Sequence, residues 1–342
     1  MFDEGFSRSF ARLMLTTALK AERSAPSPPA PAALEPTALA ATHAAALACR
    51  RWVGRGRAHD ADAAATEAMR AALAQAPGRG TVVVGEGAKD RAPMLYDNEV
   101  LGRGGGAFDI AVDPLECTKL CAKGLPGALA TIAFAQHGSM ARLACSYYMD
   151  KIVARAPAGD AIDLALTPEE NLRRAAHALD RPVAALRVVV LDKPRHRALI
   201  DRLHEAGACV ISPPDGDVAG ALRALLPDGD ADLLMGTGGT PEGVMTACAA
   251  RALGGWMQAR LAPQREDEAA ALARAGLDTE RVYELDDLVG GESLFAATGV
   301  SGGALLRAPW RRDGELCTDS IVIAAGAVRR VVQANPEEGL SR

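Results

Sequence analysis

Short apolar runs recur along most of the chain, separated by stretches with helical patterns. Several of these runs are rich in β-branched residues and nearly free of charge, which is typical of buried strands. We predict strands at residues 81–85, 109–113, 130–135, 187–191, 209–211 and 232–235. Their shortness and their spacing favour a sheet with helices packed against it.

Helical patterns fill the intervals between these runs. Residues 38–69 are rich in alanine, and the glycines of Gly54-Arg55-Gly56 divide them into two helices. Because glycine lets other groups approach the backbone closely, we expect another part of the chain to pack against this break. Further helices are predicted at residues 168–179, 197–206 and 241–260. The alternation predicts a layered α/β fold.

The two ends differ in character from the rest. An amphipathic stretch at residues 6–20 leads into a proline-rich run from residue 24 to residue 31, which predicts a stiff, unpacked linker. A signal peptide is disfavoured, because the apolar run at residues 13–19 is short and follows Asp3 and Glu4. We expect four parts: a flexible extension at 1–33, two α/β domains at 34–165 and 166–332, and a tail at 333–342.

Composition excludes several classes of function. With 342 residues, 49% of them hydrophobic, the chain can bury a large core, but no stretch approaches the ~20 apolar residues of a membrane span. A net charge of −5 argues against a nucleic-acid surface. The seven cysteines lack a C-x-x-C pair, so we expect reduced thiols and a cytoplasmic location. Cys117 and Cys121 have no nearby histidine to complete a zinc site. The oligomeric state is left open, with a homo-oligomer among the expectations.

Acidic residues stand where two of the predicted strands end. Glu86 lies between two glycines after the first strand, and Asp113 and Glu116 follow the second. Pro114 fixes the exit of that strand, so these two carboxylates can converge. Clustered carboxylates repel one another unless a cation lies between them, and Mg²⁺ or Mn²⁺ prefers such hard oxygen ligands. The alternative is that each acid only caps a helix or binds backbone amides.

Six motifs in a fixed order carry a family resemblance from about residue 34 to about residue 332. They are Trp52-Val-Gly-Arg-Gly, Gly85-Glu-Gly with Ala92-Pro-Met-Leu-Tyr, Asp109-Ile-Ala-Val-Asp-Pro-Leu-Glu, Lys193-Pro-Arg-His, Pro214-Asp-Gly-Asp and Pro241-Glu-Gly-Val. Together they resemble the class II, or GlpX-type, fructose-1,6-bisphosphatases of bacteria. The resemblance implies a layered αβαβα sandwich of the sugar-phosphatase type, with a metal-binding first domain and a substrate-binding second domain.

The resemblance also implies an activity and its residues. It implies metal-dependent release of the 1-phosphate of fructose 1,6-bisphosphate, with Mg²⁺ or Mn²⁺ as cofactor and a sugar bisphosphate as partner. The implied metal ligands are Glu86, Asp113, Glu116 and Glu242. Thr118 would orient the attacking water, with Asp90 near the same water. The implied substrate contacts are Glu116, Cys117, Thr118, Tyr148, Lys193, Arg195, Asp215, Gly216, Asp217 and Gly239.

Two histidines near these motifs receive a different interpretation. His196 follows Arg195, and we favour a helix-capping or solvent-facing histidine over a proton shuttle. His59 is not expected to be a metal ligand.

Several positions depart from the family pattern. Where the family has a metal-binding Asp after Gly-Arg-Gly, this chain has Arg57, and a cation beside a divalent ion would repel it. Cys117 replaces a glycine, which adds strain if that position needs a positive φ. Ala88, Arg91 and Gly106 replace three further acids. Three interpretations remain: a phosphatase with fewer metals, a phosphatase for sedoheptulose 1,7-bisphosphate, or a weakened homologue that binds sugar phosphates in a regulatory role.

Overall fold

The computed structural model describes residues 28–87, 94–143 and 145–335. Its helices are α1 (Glu35–Cys49), α2 (Ala58–Leu73), α3 (Thr118–Lys123), α4 (Pro168–Ala178), α5 (Arg197–Glu205), α6 (Asp217–Leu225), α7 (Thr240–Leu253), α8 (Glu266–Arg274) and α9 (Leu285–Leu288). The first half of the predicted linker, the segment 88–93 and the end of the predicted tail lie outside the described residues.

Fourteen strands of the described segments form two sheets. The strands are β1 (Gly78–Val84), β2 (Val100–Gly104), β3 (Ala107–Glu116), β4 (Leu129–Gln136), β5 (Tyr148–Ala154), β6 (Arg187–Val189), β7 (Cys209–Ile211), β8 (Leu233–Gly239), β9 (Trp256–Leu261), β10 (Val282–Glu284), β11 (Ser293–Gly299), β12 (Trp310–Arg312), β13 (Glu315–Ala324) and β14 (Ala327–Asn335). The first sheet has the order β12-β13-β11-β4-β3-β1-β2, with β14 paired to β13. The second has the order β10-β9-β5-β8-β6-β7.

The sheets and helices stack in five layers. Helices α1 and α2 cover one face of the first sheet, where Met69, Phe108 and Phe134 are fully buried. Helices α6 and α7 lie between the two sheets, and apolar side chains from both sheets pack against them. Helices α4 and α5 cover the outer face of the second sheet. This order confirms the predicted αβαβα sandwich.

The predicted helices and strands are largely confirmed. The six predicted strands correspond to β1, β3, β4, β6, β7 and β8. The break between α1 and α2 is covered as expected, because the amides of Gly54 and Gly56 donate to the carbonyls of Cys121 and Ala122 at the end of α3. The helix predicted at 241–260 is too long. Gly254, in the left-handed conformation (φ 73°), ends α7, and the chain turns back into strand β9.

The chain crosses between the sheets more than once. Strand β5 belongs to the second sheet, whereas β11 to β14 return to the first. The predicted boundary at residues 165/166 therefore does not coincide with the division between the sheets, and the division into two domains stays a prediction. None of the helices in the described ranges is long and apolar enough to cross a membrane.

Candidate active site

A cavity of about 440 Å³ opens between the ends of β1 and β3 and the first turns of α6 and α7. Its side-chain oxygens come mainly from carboxylates, namely Asp62, Glu86, Asp113, Glu116, Asp215, Asp217 and Glu242. The cavity thus collects all four predicted metal ligands, and it adds Asp62, which the sequence analysis missed.

A bulge in β3 places two of these acids. The pairing of β3 with β4 shifts register between Asp113 and Glu116, so the strand bends at Pro114. The amide of Leu115 donates to Asp113 Oδ1 at 3.1 Å and closes this turn. Glu116 reaches toward α6, where the amide of Val218 donates to its Oε1 at 3.1 Å. The two carboxylates therefore enter the same cavity from either side of the bulge in β3.

Glu242 reaches the cavity from the first turn of α7. The turn before it is tight, since a Cβ built on Gly239 would lie 1.7 Å from Glu242 Oε2. A side chain at position 239 would therefore displace that carboxylate from its present position. The Oε2 atoms of Glu116 and Glu242 are both buried and have no hydrogen-bond partner in the part of the chain that the structure describes. Two carboxylate oxygens that are buried without a partner in one cavity fit a cation or a hydrogen-bond donor bound between them.

The electrostatics of the cavity agree with a cation-binding site. Burial, followed by the charges of Asp62 and Glu242, raises the pKa of Glu86 to about 7. Burial, followed by Asp217, raises the pKa of Glu242 to about 7. The pKa values of Asp113 and Glu116 lie well above the usual range, chiefly because both groups are buried and because neighbouring carboxylates repel their charge.

The donor set fits hard divalent cations. Carboxylate oxygens are the ligands that such ions prefer, and a cation between them would relieve the repulsion that raises their pKa values. Among the described residues, no three of these side chains are already drawn together as a finished ligand set. Like charges repel one another, and a cation bound between them would relieve that repulsion and let the carboxylates approach.

Arg57 does not lie in this cavity, and the expectation that it stands at a metal position is wrong. It precedes α2, its side chain is 61% exposed, and it forms a forked ion pair with Asp60. Asp62, five residues further along and within α2, lines the cavity instead. Burial raises the pKa of Asp62, while the charge of His59 and a hydrogen bond from Thr118 lower it. Asp62 therefore contacts the threonine that was predicted to orient water.

Thr118 and Cys117 form the floor of the cavity at the start of α3. The hydroxyl of Thr118 also lies 2.9 Å from the carbonyl oxygen of Leu115. Cys117 is in the left-handed conformation, with φ 63° and ψ 45°, so the replacement of a glycine does add backbone strain there. Burial, followed by the charge of Glu116, raises the pKa of the Cys117 thiol. Cys117 is therefore a weak nucleophile.

A second cavity, of about 810 Å³, adjoins the first and is lined by six of the predicted substrate residues, namely Tyr148, Lys193, Arg195, Asp215, Asp217 and Gly239. The other four, Glu116, Cys117, Thr118 and Gly216, line the first cavity but not the second. Five residues line both cavities: Lys119, Asp215, Asp217, Pro241 and Glu242. In the second cavity the ammonium of Lys193 lies 3.3 Å from Asp215, and the guanidinium of Arg195 lies over the ring of Tyr148 at 5.2 Å. Arg195 Nη2 donates to the carbonyl of Thr237 at 2.8 Å. The wall thus carries fixed positive groups beside an aromatic ring.

The loop of Asp215, Gly216 and Asp217 is held from beneath by a lysine that the sequence analysis also missed. Lys151 on β5 is 1% exposed, and its ammonium donates to Asp217 at 2.5 Å and to the carbonyl of Gly239 at 2.9 Å. Lys151 shares one face of β5 with the buried Met149 and Val153, and a charged residue on such a face is the signal that could have revealed it.

The remaining predictions separate into three cases. His196 is 3% exposed and uses both ring nitrogens, at 2.7 Å to the carbonyl of Leu191 and 2.8 Å to the amide of Thr237. It is therefore neither solvent-facing nor free to shuttle protons. Gly106 lies before β3 and outside the described lining of both cavities. Asp90, Ala88 and Arg91 lie outside the described residues.

Comparison with known proteins identifies the family. Residues 32–335 match the family described as bacterial fructose-1,6-bisphosphatase, glpX-encoded. The chain is 42% identical over 297 residues to the class 2 fructose-1,6-bisphosphatase of Haemophilus influenzae, which covers 82% of this chain and 89% of the relative. It is 40% identical over 305 residues to the fructose-1,6-bisphosphatase 1 class 2 of Escherichia coli K12. This match covers 85% of this chain and 90% of the relative. The protein therefore belongs to the bacterial glpX-encoded fructose-1,6-bisphosphatase family.

Proposed function

We propose that the protein hydrolyses fructose 1,6-bisphosphate to fructose 6-phosphate and phosphate, with Mg²⁺ or Mn²⁺ as the cofactor. The observation that supports this function is that two cavities of different character adjoin, with five residues lining both. One cavity is lined by carboxylates and the other carries Lys193 and Arg195. A ligand with a phosphate at each end suits both, since one phosphate pairs with the fixed cations and the other with cations held by the acids.

The phosphate that is retained is assigned to the second cavity. Lys193 supplies a compact charge and Arg195 the guanidinium donors that the Thr237 carbonyl does not use, and that carbonyl and the ring of Tyr148 hold the guanidinium in one orientation. The carboxylate of Asp217 lies at the junction of the cavities, where a sugar ring between two phosphates would lie.

The phosphate that is cleaved is assigned to the first cavity. Metal ions held by Glu86, Asp113, Glu116 and Glu242 would supply positive charge to the phosphate oxygens. Asp62 and Thr118 face the same space, and the carbonyl of Leu115 and the carboxylate of Asp62 are alternative acceptors for the hydroxyl proton of Thr118. When the hydroxyl proton points to either of these acceptors, the hydroxyl oxygen can accept a hydrogen bond from a water molecule and so orient that water. No covalent enzyme intermediate is needed.

The interpretation as a weakened homologue loses its main support. It rested on Arg57 repelling a metal, whereas Arg57 is exposed and paired with Asp60. The cavity retains Asp62 in addition to the four predicted ligands.

Phosphate release tests the proposal. The protein is assayed on fructose 1,6-bisphosphate and on sedoheptulose 1,7-bisphosphate, with Mg²⁺ and with Mn²⁺, and Glu86→Ala serves as the blank. We expect metal-dependent release from fructose 1,6-bisphosphate and none from the blank. Equal rates for protein and blank would refute a phosphatase function, and faster release from the seven-carbon sugar would reassign the substrate.

A further inference from the structure

Lys151 occupies an unusual place for a lysine. It lies in the middle of β5, with neighbours of β8 and β9 on either side, and its side chain is 1% exposed. Lysine is almost never buried to this degree unless it is paired. Its two acceptors, Asp217 Oδ2 at 2.5 Å and the Gly239 carbonyl at 2.9 Å, both belong to segments that line the second cavity.

The backbone leaves space for this pair. A Cβ built on Gly238 would lie 1.9 Å from Asp217 Oδ2 and 3.0 Å from Lys151 Nζ. Any other residue at position 238 would therefore push the carboxylate away from the ammonium. The ion pair and the glycine together define one orientation for the Asp217 side chain.

That orientation leaves one carboxylate oxygen for a ligand. Asp217 Oδ2 is held by Lys151, whereas Oδ1 has no hydrogen-bond donor among the described residues. Asp217 lines both cavities, so the second oxygen is available at their junction. A carboxylate oxygen there can accept a hydrogen bond from a hydroxyl group.

We propose that Lys151 is a positioning residue for sugar recognition: it fixes Asp217 so that its second carboxylate oxygen accepts a hydrogen bond from a hydroxyl of the sugar ring. This inference rests on the proposed function, because it assumes a sugar phosphate as the ligand. Lys151 acts through Asp217 and does not itself touch the sugar. Its second bond, to Gly239, holds the turn before α7 in the same position.

A merely structural ion pair is the competing explanation, and a double-mutant cycle distinguishes the two. The affinity for fructose 6-phosphate and for inorganic phosphate is measured by calorimetry in four proteins: the wild type, Lys151→Met, Asp217→Asn and the double variant. The exposed Lys123→Met, which lies outside both cavities, is the matched control. Circular dichroism checks that each variant is folded.

If Lys151 acts through Asp217, Lys151→Met weakens fructose 6-phosphate binding about tenfold in the wild-type background and less than about twofold in the Asp217→Asn background. Inorganic phosphate affinity changes by less than about twofold throughout, because phosphate is bound by other groups. Lys123→Met changes neither affinity.

Equal losses in the two backgrounds would overturn the proposal, and so would equal losses for the sugar phosphate and for phosphate. If Lys151→Met alone does not fold, the double variant is compared with Asp217→Asn: equal affinities support the proposal, and a further loss refutes it. The cycle measures binding only, so a wild type that binds fructose 6-phosphate without hydrolysing the bisphosphate would contradict the proposed function and leave this inference standing.

Discussion

Asp62 and Arg57 are five residues apart, and removing the charge of each should have different consequences for metal binding. Asp62 lines the acidic cavity and raises the pKa of Glu86 and of Asp113 by its charge, second to burial for Glu86. Arg57 is exposed and paired with Asp60. We therefore expect Asp62→Asn to weaken metal binding and Arg57→Ala to leave it unchanged.

The size of the cavity gives the magnitude of the loss in metal affinity that we expect for Asp62→Asn. A sphere of about 440 Å³ has a radius of ~5 Å, so a divalent cation near its centre would interact with a carboxylate on its wall by ~6–7 kcal/mol at an effective dielectric of ~20. Asp62 is partly exposed, and water screens the charge, so we expect about 2–3 kcal/mol, or roughly a 30- to 150-fold weaker metal affinity. For Arg57→Ala we expect a change of less than about twofold.

Metal titration followed by calorimetry measures both variants. Thermal unfolding is a second measurement for Asp62→Asn, and the sign of the change in unfolding temperature should depend on metal. Without added metal at pH 8 the variant should unfold at a higher temperature than the wild type, because one repelling carboxylate is gone. With millimolar Mg²⁺ the wild type should be the more stable protein. A large gain in metal affinity from Arg57→Ala, or unchanged affinity in Asp62→Asn, would refute the placement of these residues.

Three further outcomes are expected. The pKa values of Glu86 and Glu242 are raised to about 7 in the folded state. The stability that their protonated forms confer is therefore complete below about pH 4.5 and is lost as the pH rises through about 7. The unfolding temperature measured in chelator should fall between pH 5.5 and 8, whereas it should stay level in Mg²⁺. Cys117→Gly should raise the free energy of unfolding by about 1 kcal/mol in denaturant titrations, because glycine adopts φ 63° without strain; no gain would contradict this. Lys193→Ala should raise the KM for fructose 1,6-bisphosphate roughly 10- to 100-fold with little change in kcat, and a loss confined to kcat would place Lys193 elsewhere.

The sequence is most informative where one local pattern decides the structure. The apolar run that becomes β1 places Glu86 just beyond the end of that strand, as predicted. Asp113, predicted at a strand end, lies instead at the bulge in β3, which continues to Glu116. The helix predicted at 241–260 is too long because its apolar pattern continues into β9, and only the left-handed Gly254 separates the two elements. A short apolar segment cannot be assigned to helix or strand from its periodicity alone.

The errors at the site have a common cause: sequence order does not show which side of a helix faces the cavity. The Gly-Arg-Gly motif directed attention to the next residue, Arg57, although this residue precedes α2 and its side chain is exposed to solvent. Asp62 lies three, four and seven residues before Ala65, Thr66 and Met69, which are buried. An acid on the buried face of a helix is a detectable signal, and Lys151 within β5 is another.

Metal dependence of the rate tests the central claim most directly, since the claim is that the carboxylates of the cavity hold the cations that drive hydrolysis. The protein is stripped with a chelator, dialysed and assayed for phosphate release from fructose 1,6-bisphosphate while Mn²⁺ is added back, and Glu242→Gln is treated in the same way. We predict no detectable rate in chelator, recovery on titration, and at least a tenfold higher half-maximal Mn²⁺ concentration for Glu242→Gln. A stripped protein that hydrolyses the substrate at the same rate in chelator as in Mn²⁺ would contradict the account.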